Sequence, residues 1–109
     1  MAACIFLKKG DKAMLHFEYN QEQKNALEGL AYRIADNAYM IERYGREEAA
    51  PELQQNHKTI IGLFSDLDRM KVPFWVQNTV IGWAENWRDY KTQYFNEAMQ
   101  KKNILPIKA

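Results

Sequence analysis

Val76-Gln77-Asn78-Thr79-Val80-Ile81-Gly82-Trp83-Ala84-Glu85-Asn86-Trp87-Arg88-Asp89-Tyr90-Lys91-Thr92-Gln93-Tyr94 is the most regular stretch of this chain. Val76, Val80, Trp83, Trp87, Tyr90 and Tyr94 recur at spacings of four and three, which places them on one face of a helix. A second seam beside it, Ile81, Ala84, Arg88, Lys91, Phe95 and Ala98, mixes four apolar residues with two basic ones. Pro73 suits the start, because its ring fixes the backbone dihedral that a first turn needs. The spacing therefore predicts a helix over 73–102, roughly 45 Å long at about 1.5 Å per residue.

Two further helices are predicted upstream. The first covers 20–46: Asn20 can cap it with Gln23 at the reciprocal capping-box position, and Leu27, Leu30, Ile34, Ala38 and Ile41 share a face. Gly45 allows its end, and Pro51 suits the first turn of the next helix. That second helix covers 51–71 and carries Leu53, His57, Ile60, Ile61, Phe64 and Leu67 on its apolar side. Pro73 closes it, since the residue before a proline is pushed out of the helical region. At roughly 30 Å it is several turns shorter than the third helix.

Residues 1–19 read as an arm. Cys4 to Leu7 and Ala13 to Tyr19 flank Lys8-Lys9-Gly10-Asp11-Lys12, a candidate hairpin turn, and Leu15, Phe17 and Tyr19 alternate with His16 and Glu18. A lone hairpin is marginal in water, so it must pack on the helices or pair across a dimer. The tail, 103–109, contains Ile104-Leu105-Pro106-Ile107, which either docks on a partner or folds back. The fold expected is all-α: one domain over 1–109, an antiparallel three-helix bundle with a long C-terminal helix and an N-terminal arm or short β-hairpin.

A chain of 109 residues suits one modest core. Its 15 Lys and Arg against 14 Asp and Glu give a net charge of +1, which implies neither a strongly basic nor an acidic partner. The early apolar run precedes its lysines, the reverse of a secretory signal, and no uncharged stretch reaches the roughly 20 residues of a membrane span. Cys4 is the single cysteine, so no internal disulfide forms. A cytoplasmic protein without membrane partners is the expectation.

Catalytic constellations are missing from the pattern. Of the two histidines, neither His16 nor His57 lies three or four residues from an Asp or Glu, as helical metal motifs require. His57 reads as a histidine at the core edge. Ser65 has no glycine elbow and Cys4 no cationic neighbour to lower its pKa. Gly10, Gly29, Gly45, Gly62 and Gly82 are isolated, so none builds a phosphate loop. Gly29, Gly62 and Gly82 interrupt helices, and close helix–helix approach is the simplest reason for them. Glu85 and Asp89 beside Arg88 form a solvated charged face. No catalytic residue, metal site, cofactor or small-molecule substrate is expected.

What stands out is where the aromatics fall. The chain has three Trp, six Tyr and five Phe, and Phe74, Trp75, Trp83, Trp87, Tyr90, Tyr94 and Phe95 lie on the predicted third helix. One reading makes this stripe the core of the chain. The sharper reading makes its second half, Trp87, Tyr90, Tyr94, Phe95 and Met99, a surface for a protein partner, because Trp, Tyr and Arg dominate binding hot spots. The expected function is that of a small non-enzymatic interaction or regulatory protein, acting as a homodimer or on another protein. The competing class binds nucleic acid through Arg88, Lys91, Lys101 and Lys102, with aromatic stacking.

Overall fold

The computed structural model describes residues 15–86 and 92–107. The element order is β1 (Phe17–Tyr19), α1 (Gln21–Tyr44), α2 (Arg46–Arg69), α3 (Phe74–Glu85), α4 (Thr92–Gln100) and β2 (Ile104–Pro106). The described chain is mostly helical, with one small sheet of two parallel strands.

α1 begins with the expected capping box. The Gln23 backbone N–H donates to Asn20 Oδ1 at 2.8 Å, and the Asn20 N–H donates to Gln23 Oε1 at 2.8 Å. Gly45 ends α1 and starts α2 in one residue: its N–H donates to the Ile41 carbonyl, and its own carbonyl accepts from the Ala49 N–H. Its backbone (φ 85, ψ 159) lies in a region that only glycine enters without strain. α2 thus starts at Arg46 and not at 51, and Pro51 lies inside it. Glu47 and Glu48 favour that early start at the positive end of the helix dipole. The N–H that Pro51 lacks would have bonded the carbonyl of Glu47, which lies in an exposed turn where water can serve it.

The inner stripe of α2 is Ala49, Leu53, Asn56, Ile60, Leu63 and Leu67; of the expected apolar side, Ile60, Phe64 and Leu67 pack into the core, whereas His57 and Ile61 do not. His57 is exposed, as is Ile61, while Asn56 is buried. Hydrophobicity hides the middle of this stripe because its central member is polar. Asn56 accepts from Arg33 Nη1 at 3.1 Å and donates to Asp36 Oδ2 at 3.1 Å and Asn37 Oδ1 at 2.8 Å. A buried amide with its partners in place costs little and fixes how α1 and α2 align. Gly29 lies against Leu63, and Gln23 Nε2 reaches the Met70 carbonyl at 3.0 Å.

The single helix expected over 73–102 is two helices. Trp83 and Phe95 meet edge to face with ring centroids 5.6 Å apart. Twelve residues of continuous helix would separate them by about 18 Å along the axis. Asn86 marks where α3 stops: its N–H turns to the Trp83 carbonyl at 3.3 Å, and its side-chain Nδ2 takes the Gly82 carbonyl at 3.1 Å. That carbonyl is the one the next α-helical bond would have used, so the side chain competes directly with the helix.

β1 forms where the alternation placed it, but its partner is the tail. Phe17 pairs with Ile104, Glu18 with Leu105 and Tyr19 with Pro106. The tail thus folds back on the bundle. The expected hairpin partner over 4–7 lies outside the described residues.

The core gathers at one end. Tyr19, Leu27, Leu30, Leu67, Val72, Val76, Val80, Phe95, Met99 and Ile104 form one buried cluster. α1 supplies nothing to it beyond Ile34, and α2 nothing before Ile60. The outer half of the α1–α2 hairpin is held by the Asn56 network, with Ala35 and Ala49 buried near it.

Candidate functional site

α4 folds back on α3 and leaves an open groove of about 510 Å³ between them. Asn78, Thr79, Gly82 and Trp83 line it from α3; Ala98 and Met99 from α4, with Lys101 and Lys102 just beyond its end. Asn78 and Gly82 are exposed, and a Cβ placed on Gly82 would meet nothing within 4 Å. The Thr79 hydroxyl donates to the Trp75 carbonyl at 2.8 Å, so its proton is already committed within α3. Trp83 is half-buried and held from below by Phe95. Lys101 and Lys102 sit where the chain leaves α4, with their N–H groups on the Glu97 and Met99 carbonyls at 3.2 and 2.9 Å. Cations there complement the negative end of the helix dipole. Among the described lining residues they are the only ionisable side chains.

The structure sorts the residues singled out from sequence. Phe95 and Met99 are 0% exposed and belong to the core of their own chain, where Met99 also lines the groove. Tyr94 is half-buried. Lys101 and Lys102 are exposed at the groove. Trp87, Arg88, Tyr90 and Lys91 lie outside the described residues. Asn78, Thr79 and Gly82, which do line the groove, are small or polar and carry no hydrophobic signal. Gly82 carried the one available clue, a glycine inside a helix at a cost of about 1 kcal/mol relative to alanine. The packing reason expected for it fails: no helix of the described residues approaches it, nor Gly62, and only Gly29 meets a neighbour, Leu63 at 3.6 Å.

A second, larger cleft of about 880 Å³ lies between the start of α1, α4 and the outer edge of β2. Gln21, Lys24, Asn96 and Gln100 supply its polar side chains, and the buried Asn96 Oδ1 has no hydrogen-bond partner among the described residues. The Asn20 and Gln23 amides are taken by the capping box, and Pro106 brings no N–H to the strand edge. Tyr19 lines it from below; burial first, and then the charge of Glu28, pushes its hydroxyl above the ordinary tyrosine pKa of 10.0. Among the described residues no group of three or more His, Cys, Asp or Glu could hold a metal ion. No described helix is long and apolar enough to cross a membrane.

Compared with known proteins, the chain matches no protein-family model, no curated protein and no solved structure. The groove between α3 and α4 has to be read from its own chemistry.

Proposed function

We propose that this is a small non-enzymatic interaction or regulatory protein, and that it binds an acidic helical segment of a partner protein in the groove between α3 and α4. The observation that carries this is the pairing of Gly82 with Lys101 and Lys102. The open glycine lets another backbone approach, and the two lysines set the sign of charge that must lie opposite. Trp83 supplies the aromatic contact such sites favour. The antiparallel bundle is part of the same reading, supported for α1 and α2 by the pairs Gly29–Leu63 and Gln23–Met70. Self-association through Phe95 would require it to leave the core, so the partner surface moves to the groove that Met99 helps to line.

The test is binding of a Glu-rich amphipathic helical peptide, followed by tryptophan fluorescence. Binding by the wild type, lost in Lys101→Glu with Lys102→Glu, supports the reading. Equal binding by both proteins contradicts it. Lys101 and Lys102 also belong to the nucleic-acid class, which predicts instead that a mixed oligonucleotide pool binds at low salt and is released steeply as salt rises.

A further inference from the structure

The outer half of the α1–α2 hairpin carries a second face, independent of the α3–α4 groove. On α1, Tyr32, Asp36, Tyr39 and Arg43 follow spacings of four, three and four. At about 100° per residue they form one stripe, turned away from the side on which Leu27, Ala31 and Ile34 join the core, with Asp36 at its edge toward α2, where it accepts from Asn56. Tyr32 is 50% exposed and Tyr39 40% exposed. The Arg43 guanidinium lies over the Tyr39 ring at 5.9 Å and over the Tyr44 ring at 6.0 Å, so the cation is already ordered between two aromatic faces. On α2, Glu48, Glu52, Gln55 and Thr59 repeat the same four, three and four, away from the side on which Ile60 and Phe64 pack inward.

The two stripes match in height as well as spacing. Gly29 is level with Leu63 and Asp36 with Asn56, which puts Arg43 within one residue of the level of Glu48. By the same alignment Tyr39 lies near the level of Glu52, Asp36 of Gln55 and Tyr32 of Thr59. A twofold axis along the hairpin sets α1 of one copy over α2 of the other at equal height. Arg43 then faces the acidic end of the stripe, and each aromatic faces a polar or acidic residue with no like charges opposed. The stripe on α2 continues to Gly62, where an added Cβ meets nothing within 4 Å. We infer that this face is a homodimer interface, in which the Tyr32–Tyr39–Arg43 stripe of α1 packs on the Glu48–Glu52–Thr59 stripe of α2 from a second copy.

Sedimentation equilibrium with single charge reversals tests the inference. The wild type is dimeric at about 100 μM chain, and Arg43→Glu and Glu48→Arg each weaken the dimer by about tenfold or more. Because the contact occurs twice across a twofold axis, mixing the two variants pairs every reversed charge with its complement. The mixture therefore recovers the dimer that neither variant forms alone. Lys101→Glu with Lys102→Glu leaves the dimer unchanged, which separates this face from the groove. A monomeric wild type, single variants as dimeric as the wild type, or a mixture that stays monomeric would each overturn it. Far-UV circular dichroism of both variants, expected to match the wild type, confirms that exposed positions alone were altered.

Discussion

Gly45 and Gly82 are both helix-associated glycines, and they are there for opposite reasons. Gly45 has a φ of 85, so a side chain at that position strains the backbone between α1 and α2. Gly82 has ordinary helical geometry and open space where a Cβ would go. Gly45→Ala should therefore lose about 1–3 kcal/mol of stability, while Gly82→Ala should gain about 1 kcal/mol. Thermal or chemical denaturation of the two variants reads both signs at once, and a destabilised Gly82→Ala would return that glycine to internal packing. Tyr19 makes a prediction in pH. Burial, followed by the Glu28 charge, raises its hydroxyl pKa in the folded state, so folding holds this proton more tightly than the unfolded chain does. The stability tied to that proton is complete below pH 10.0 and disappears as pH rises through the higher folded value. Tyr19→Phe should thus gain on the wild type as pH rises above about 10, in denaturation curves taken from pH 8 to 11.

At the scale of elements, the split of the third helix turns its aromatics from surface to core. Phe95 is held against Trp83 and fully buried, so Phe95→Ala should cost about 3–5 kcal/mol in urea unfolding. A loss under 1 kcal/mol would mean that α4 does not pack on α3. The local signals were legible in sequence. The Asn20–Gln23 capping box, the Leu27–Leu30–Ile34 face and the alternation around Phe17 all depend on residues a few positions apart. Non-local ones were not. β1 pairs with Ile104–Pro106 at the far end of the chain, and nothing near Phe17 encodes a parallel partner. The break after Glu85 was hidden because no glycine or proline lies between Trp83 and Phe95, and an asparagine side chain ends the helix instead. The middle of the inner stripe of α2 escaped notice because Asn56 occupies a core position on the strength of hydrogen bonds to the other helix.

For the whole molecule, the consequence is a division between a packed end and a projecting one. The core around Leu30, Val80 and Phe95 anchors α3, α4 and the sheet, and the hairpin beyond Ile34 extends past it on a polar network. The candidate site was half legible on this scale. Lys101 and Lys102 were identified for their charge, whereas Asn78 and Gly82 became part of a site only when α4 folded across α3. On the reading proposed above, this groove receives a partner protein. A photo-crosslinking residue at Asn78, expressed in the native host, tests it against the same probe at Lys71 on the exposed turn after α2. A discrete protein adduct is expected from position 78 alone, lost when Lys101→Glu and Lys102→Glu are added. No adduct at position 78, or the same adducts from both positions, would contradict it.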